Sequence, residues 1–454
     1  MSSTHVLSVD PATGAELARH PLHDDAALDA ALGRAHAAQR TWRTASFERR
    51  AEVLRAIAVA LRAEQERAAL LITAEMGKTL REARAEIEKS AWVCEYYADH
   101  GAAQLAPETV ATDLSETYVQ FPPLGVVLAV MPWNYPVWQV MRAAAPALMA
   151  GNTIVLKHAS NVTGSALLLA EILGGVEPSL LETIVVPGRA VASVIADDRI
   201  AAVTLTGSEG AGVAVAHACA EALKPSVLEL GGSDPFIVLA DADVEAAAAT
   251  AVKARFSNSG QSCVAGKRFI VVDAVAEAFE EAFAAAAGAL VMGDPREAVD
   301  LGPMARVDLR DELADQVARG VAAGGRVLVG GSVPDGPGAF YPATVVGAVA
   351  PDSPLAREET FGPAAAVLRV ADADAAIALA NASPYGLSSS LWTRDLDHAK
   401  RLAPLIEAGA VFVNAMTISD PRMPFGGVKR SGWGRELGAY GIREFVNVQA
   451  ISIA

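Results

Sequence analysis

A single cysteine stands in a stretch of small and polar residues, GQSCVAGKR (residues 260–268), just before the apolar run 269–272. A structural cysteine usually lies on an apolar face, where it behaves as a small hydrophobe. Cys263 has no such neighbours in sequence, so it is a candidate reactive thiol. The local sequence supports a nucleophile and an inert cysteine equally, and no nearby histidine supports a cysteine–histidine pair.

Two other polar side chains are placed next to apolar runs. Asn134 lies in PWNYP (residues 132–136), after a run that reads as a buried strand. An amide at the carboxyl end of a parallel strand points into the ligand crevice, although capping of the next helix is the simpler explanation. Glu229 lies between two leucines in LELGGSDP (residues 228–235). Burial there would raise its pKa and suit it to general-base catalysis, whereas an isolated glutamate more often lies on a surface.

A glycine-rich turn, TGSEGAG (residues 206–212), connects a predicted strand to a predicted helix. It lacks the GxGxxG spacing of dinucleotide-binding turns. Free N–H groups at a helix N-terminus still attract phosphate, and a plain N-cap at Ser208 explains the turn equally well.

Together these groups are what oxidation of an aldehyde requires. A thiolate adds to the carbonyl, and an amide with a backbone N–H holds the oxyanion. Hydride then leaves to a nicotinamide, and a base activates the water that cleaves the thioester.

Apolar residues three and four apart predict helices over 47–73 and 78–99. From residue 126 onward, short β-branched runs such as 183–186 alternate with helical stretches such as 244–256. This alternation predicts parallel α/β sheets, with two domains meeting near residue 228. The segment 117–121 and the tail 444–453 fit neither domain and read as exposed strands, which need a partner.

The composition narrows the class of protein. A length of 454 residues predicts two or three domains, and a net charge of −16 argues against nucleic-acid and anionic-membrane partners. Three scattered cysteines without zinc-ligand spacing predict a reducing compartment and no metal site. The first residues show no signal peptide, so we expect a cytoplasmic protein.

The motifs occur in the order that characterises the aldehyde dehydrogenase superfamily, which the chain resembles over nearly its whole length. They are PWNYP, TGS, LELGGSDP, GQSC, EETFGP (358–363), PFGG (424–427) and SGWGRE (431–436). The resemblance implies an α/β fold with a Rossmann-type cofactor domain, an α/β catalytic domain and a small β oligomerisation element. We assign residues 1–112 and 124–228 to the first, 229–425 to the second, and 113–123 and 440–454 to oligomerisation strands.

The resemblance also implies residue roles. Cys263 matches the nucleophile, Asn134 the oxyanion donor and Glu229 the base for thioester hydrolysis. The positions that match cofactor contacts are Trp133, Lys157, Ser160, Gly207, Ser208, Leu230, Glu359 and Phe361. Relatives that prefer NAD often carry glutamate at position 160. A serine there would not repel a 2′-phosphate, which predicts NADP, with NAD also possible.

KHASN (157–161), WQVMR (138–142) and the spacing to LGPMAR (301–306) look most like shorter bacterial succinate-semialdehyde dehydrogenases. That resemblance implies a substrate with a distal carboxylate. Arg142 matches a carboxylate-binding arginine, although a salt bridge on a helix surface is an equal alternative. Position 257, where some relatives carry a second arginine, is a serine, so Ser419 or Arg422 would have to assist.

Three other functions stay open. The same chemistry could act on glutarate semialdehyde or an aliphatic aldehyde. A second alternative is a coenzyme-A-acylating dehydrogenase, which the presence of the base candidate Glu229 disfavours. A third is a catalytically silent binding protein, which the presence of Cys263, Glu229 and Asn134 disfavours. The exposed strands predict a homodimer or homotetramer.

Overall fold

The computed structural model describes residues 4–454, so the first three residues of the stretch examined for a signal peptide lie outside it. Strands and helices alternate along the described chain. The strands are β1 (His5–Val9), β2 (Glu16–Pro21), β3 (Glu108–Thr109), β4 (Glu116–Gln120), β5 (Val126–Met131), β6 (Thr153–His158), β7 (Leu181–Thr183), β8 (Ile200–Thr206), β9 (Ser226–Glu229), β10 (Asp234–Val238), β11 (Gly266–Val272), β12 (Arg326–Val329), β13 (Thr344–Gly347), β14 (Ala364–Val370), β15 (Tyr385–Gly386), β16 (Ser388–Trp392), β17 (Ala410–Val413), β18 (Val428–Lys429), β19 (Gly432–Trp433) and β20 (Gln449–Ile453).

The α-helices cover the faces of the sheets. They are α1 (Asp25–Trp42), α2 (Phe47–Ala63), α3 (Gln65–Met76), α4 (Leu80–Gln104), α5 (Trp138–Ala150), α6 (Thr163–Gly174), α7 (Val191–Ala196), α8 (Glu209–Glu221), α9 (Val244–Phe256), α10 (Asp273–Gly288), α11 (Val307–Ala322), α12 (Pro354–Arg357), α13 (Ala373–Asn381), α14 (Leu396–Leu402) and α15 (Gly438–Gly441). No helix among residues 4–454 is both long enough and apolar enough to cross a bilayer.

A six-stranded sheet has the order β19-β9-β8-β5-β6-β7, and all its strands but β19 run parallel. The chain proceeds from β5 to β6 and β7 on one side, then returns to β8 and β9 on the other. The strand order therefore reverses between β5 and β8, and a crevice opens at the carboxyl ends of these two strands.

Helix α5 connects β5 to β6 and is buried along its whole length. Its neighbours are α2 and α4, whose apolar faces join it in the largest hydrophobic cluster of the described chain. Because α5 is surrounded by protein, the side chains it projects toward the crevice have little freedom to move.

A seven-stranded sheet follows, in the order β12-β13-β14-β11-β10-β16-β17, with β12 as its antiparallel edge. Strand β9 of the first sheet ends at Glu229, and β10 of the second begins at Asp234. The loop between these strands thus joins the two sheets directly.

The two segments that fitted neither predicted domain pair with each other. Strand β20 is antiparallel to β4 over five residue pairs, from Gln449 with Gln120 to Ile453 with Glu116, and β3 completes a three-stranded sheet. Strand β20 covers only residues 449–453 of the predicted run 444–453. The segment between the predicted catalytic domain and this tail returns to the first sheet as β19.

Two expectations differ from the structure, and one element was not predicted. The periodic run 47–73 is two helices separated at Glu64, because the apolar spacing continues across a one-residue break. The strand predicted over 183–186 does not form. Strand β7 ends at Thr183, and Ile184 and Val186 are buried beyond it without pairing as a strand. The hairpin of β1 and β2 was not predicted.

Candidate active site

The loop before Cys263 has an unusual backbone. Asn258, Ser259 and Gly260 have φ values of 56°, 52° and 71°, in the left-handed region that most residues avoid. The Ser259 hydroxyl donates to the Gly302 carbonyl at 2.9 Å, and a Cβ at position 260 would lie 2.4 Å from the Gly362 carbonyl oxygen. Neighbouring loops therefore hold this turn, and only glycine fits at its end.

Asn134 is fastened to the same turn. Its Nδ2 donates to the Gln261 carbonyl at 3.0 Å, and Asn258 Nδ2 donates to the Asn134 carbonyl at 2.9 Å. The capping alternative for Asn134 is wrong, since α5 begins at Trp138 and its first N–H groups donate to Glu86. One N–H of the buried amide remains for a ligand.

A cavity of about 250 Å³ lies at the crevice between β5 and β8, and both Asn134 and Cys263 line it. Six residues predicted to contact a cofactor line the same cavity: Trp133, Gly207, Ser208, Leu230, Glu359 and Phe361. The rings of Trp133 and Phe361 meet edge to face, with centroids 5.6 Å apart. Ser208 is also the N-cap of α8, which confirms the capping explanation of the glycine-rich turn, and phosphate binding at this turn stays a prediction.

Glu359 is held by a buried lysine that the sequence analysis left without a role. Lys267 Nζ lies 3.0 Å from Glu359 Oε1 and donates to the carbonyls of Cys263, at 3.0 Å, and Gly232. Glu359 also accepts from the Gly232 N–H at 2.9 Å. One ammonium thus sets the distance between the cysteine loop and the carboxylate of the cavity.

Lys157 and Ser160 lie outside this cavity. Lys157 pairs with Val130 across β5 and β6, so it lies at the same carboxyl edge of the sheet. Ser160 is exposed two residues beyond β6. Burial lowers the pKa of Lys157. None of the ion pairs found within residues 4–454 includes Lys157.

Glu229 is 1% exposed, so a surface position for it is wrong. Its carboxyl group is buried with that of Glu436, and Arg142 forms an ion pair with Glu436. Burial, then the charge of Glu436, raises the pKa of Glu229 well above its ordinary value, against the opposing effect of Arg142. The charge of Arg435 opposes the rise as well, and burial together with the charge of Glu436 outweighs the two guanidinium groups.

Arg142 is 2% exposed, so the alternative of a salt bridge on a helix surface is wrong. Besides Glu436 it contacts the Thr206 hydroxyl at 3.1 Å and stacks over Phe425 at 4.5 Å. Its guanidinium is therefore largely engaged by the protein itself.

A second cavity, of about 270 Å³, reaches Cys263 from the other direction, and Arg142 and Ser419 line it. The other charged residues on its wall are Glu82, Glu86, Lys89 and Lys253. Arg422 is not part of this wall; it is exposed and forms an ion pair with Asp420 at 2.6 Å. Of the carboxylate-binding candidates, Arg142 and Ser419 are thus the two that the structure brings to the cysteine.

Burial favours the protonated form of the Cys263 thiol. Burial raises its pKa to about 12; the charges of Arg142 and Lys267 lower it, and those of Glu229 and Asp234 raise it. Glu229 is thus close enough to influence the thiol, although it lines neither cavity.

Sequence reasoning missed Lys89, Lys267 and Glu436. The last two stand inside motifs, GQSCVAGKR and SGWGRE, so their positions were visible, but their pairing with distant residues was not. Lys89 lies within the predicted helix 78–99 and carries no motif signal.

The chain belongs to the aldehyde dehydrogenase family, whose family model matches residues 1–451. The succinate semialdehyde dehydrogenase [NAD(P)+] Sad of Escherichia coli K12 is 48% identical over 99% of this chain and 98% of its own. The succinate-semialdehyde dehydrogenase [NADP(+)] 1 of Mycobacterium tuberculosis H37Rv is also 48% identical, over 99% of this chain and all of its own.

Solved structures agree in fold. The succinic semialdehyde dehydrogenase of Streptococcus pyogenes, solved in complex with NADP+, superposes with a TM-score of 0.96. It is 35% identical, and the match covers 99% of each chain.

Alkylation distinguishes the three cysteines. We expect iodoacetamide to label Cys263 before Cys94 and Cys219, which are buried, and the rate to rise about tenfold per pH unit between pH 7 and 9. The sign follows from a thiol pKa far above neutrality, because the thiolate fraction then grows with pH. Peptide mass mapping measures the sites, with Cys263→Ser as the control. A labelling rate independent of pH would contradict the protonated thiol.

Proposed function

We propose that this protein oxidises succinate semialdehyde to succinate with NADP as the preferred cofactor. The observation that supports it is the position of Cys263 between two cavities. One is lined by six of the eight predicted cofactor residues, and the other has cationic and hydroxyl side chains on its wall. A four-carbon aldehyde with a distal carboxylate matches this pair of cavities chemically.

Cys263 is the proposed nucleophile. Its Sγ adds to the aldehyde carbon, and the free N–H of the Asn134 amide together with the Cys263 backbone N–H holds the oxyanion. Asn134 is pre-positioned for this by its bond to Gln261, two residues before the cysteine. The raised pKa of Cys263 means that the thiol must lose its proton as the reactants bind.

Glu229 is the proposed base for thioester hydrolysis. Its carboxyl oxygens have no hydrogen-bond partner in the protein, and it lies beside Leu230 and Gly231, which line the cofactor cavity. From its buried position the side chain must turn toward Cys263 and lose its proton before it can activate water. Its raised pKa sets the lower pH limit of that step.

The residues at the carboxyl edge of the six-stranded sheet fit NADP. Lys157 is a half-buried cation without an ion-pair partner in the described chain, and the exposed residue near it is Ser160 rather than an acid. These two would hold the adenosine ribose and its 2′-phosphate, while Trp133, Glu359 and Phe361 would enclose the nicotinamide end. The nicotinamide, when bound, supplies the hydride acceptor.

The three-stranded sheet supports assembly into a homodimer or homotetramer. Strand β20 lies at one edge of this sheet, and its residues Ala450, Ser452 and Ile453 are exposed. Edge strands with unpaired backbone groups pair with another chain, and a two-fold arrangement of identical chains closes such contacts.

The substrate is tested by initial rates with saturating NADP. We expect kcat/KM for succinate semialdehyde to exceed that for pentanal, an uncharged aldehyde of similar length, by at least about tenfold, because a paired carboxylate contributes a charge-assisted bond. The alternative substrate glutarate semialdehyde is measured alongside. Equal rates for the charged and uncharged aldehydes would leave an aldehyde dehydrogenase but refute this substrate.

Cofactor choice is tested at position 160. Ser160→Glu should lower kcat/KM for NADP about tenfold or more relative to NAD, because the new carboxylate repels the 2′-phosphate. Ser160→Gln has the same size without the charge and should keep most of the native preference. The NADP/NAD ratio of kcat/KM is the measurement, and a ratio unaffected by Ser160→Glu would place the 2′-phosphate elsewhere.

The base is tested by separating acylation from hydrolysis. Glu229→Gln should lower kcat by about 10²- to 10⁴-fold while keeping a single-turnover burst of NADPH, because the thioester still forms. In the native enzyme kcat should fall as the pH drops below the raised pKa of Glu229. Glu436→Gln removes the neighbouring charge, so the same fall should move to lower pH. Full turnover by Glu229→Gln would exclude this role.

A further inference from the structure

Lys89 projects from α4 into the second cavity, the one that also contains Cys263, Arg142 and Ser419. Its Nζ donates to the Ser419 hydroxyl at 2.7 Å and lies 4.3 Å from the centre of the Trp138 ring. The ammonium is thus fixed between an aromatic face and a hydroxyl, and it faces the space in which the substrate would lie.

The carboxylates nearest to Lys89 are already bound by other groups. Glu86, on the same helix, accepts from Lys78 at 2.5 Å and from the first two N–H groups of α5. Asp420, on the loop after β17, is held by Arg422 through two bonds of 2.9 and 2.6 Å. Neither carboxylate forms an ion pair with Lys89.

The other charged residues of the cavity do not form an ion pair with Lys89 either, and Glu82 is not among the charges that shift its pKa. Glu82 accepts from the Asn258 N–H at 2.7 Å, and Arg142 forms its ion pair with Glu436. Lys253 is exposed to solvent. None of the ion pairs within residues 4–454 includes Lys89. A largely buried cation without a counter-charge is costly to keep.

Lys89 therefore needs an anion that the protein does not supply. Burial, and after it the charge of Arg142, lowers the pKa of Lys89 to about 8, while Asp420 and Glu86 oppose the shift. The group is still mostly protonated at neutral pH, and a bound anion would stabilise its charge further.

We propose that the Lys89 ammonium, assisted by the Ser419 hydroxyl, binds the distal carboxylate of the aldehyde substrate. This inference rests on the proposed function and names the specificity residue of that site. It also changes the part of Arg142, which the sequence suggested as the carboxylate anchor. Arg142 is paired with Glu436, so the charge of Arg142 acts on the substrate only from a distance. Lys89 contacts the substrate carboxylate directly.

The test compares the ratio of kcat/KM for succinate semialdehyde to that for pentanal, with saturating NADP. In Lys89→Met this ratio should fall about tenfold or more, mainly through a higher KM for the semialdehyde. Lys89→Arg keeps a cation in the same place and should recover part of the ratio. Lys400→Met, which removes an exposed lysine of α14, is the matched control and should behave as the native enzyme.

Two further measurements guard against a variant that does not fold. In the native enzyme the same ratio should fall as the pH rises through about 8, because Lys89 then loses its charge. Pentanal shares the cysteine chemistry, so titration of Cys263 cancels in the ratio. Lys253→Met removes a solvent-exposed charge from the same cavity and should change the ratio less than Lys89→Met does.

The outcomes separate the two proposals. A native preference for the semialdehyde that Lys89→Met retains, or that Lys253→Met abolishes instead, would overturn the role of Lys89 and leave the proposed function intact. A ratio near one in the native enzyme would overturn both. A ratio that falls in Lys89→Met, is partly recovered in Lys89→Arg and declines above pH 8 supports the inference.

Discussion

The buried ammonium group of Lys267 joins three loops that come from different parts of the fold. It contacts the carbonyl of Cys263, the carbonyl of Gly232 between the two sheets, and the carboxylate of Glu359. A cation that is 1% exposed needs all of these oxygens, because water cannot replace them. The geometry of the reaction centre follows from this requirement, since moving any one loop would leave the charge unsatisfied.

A second group of buried charges lies behind the cysteine and has the opposite character. Arg142 forms an ion pair with Glu436, while burial and the charge of Glu436 raise the pKa of Glu229, whose oxygens have no hydrogen-bond partner. Such a group is costly in a folded core and is expected where chemistry needs it. Lys267 fixes the loops around the cysteine through three contacts, whereas no hydrogen bond of the protein fixes the carboxyl group of Glu229.

Much of this arrangement was predictable from local patterns. The alternation of strands and helices predicted both parallel sheets, and helix α9 was predicted with its observed bounds, 244–256. The cysteine, amide and glutamate stand in recognisable motifs. Lys89 could not be found in this way, because its partner Ser419 is 330 residues away in the chain. The break at Glu64 was also missed, since the apolar spacing continues across it. The early end of β7 was missed because Ile184 and Val186 stay buried beyond it.

The return of the chain to its first sheet at β19 affects the order in which the protein is completed during synthesis. Glu436, the partner of Arg142, and strand β20, the partner of β4, follow the parallel strands of both sheets in the chain, so they are synthesised after them. Until then, the growing polypeptide has an uncompensated guanidinium in its core and an uncovered strand at its surface. The core thus gains its balanced guanidinium and its covered strand only after both parallel sheets have been synthesised, and a product truncated before residue 432 would lack both closing contacts.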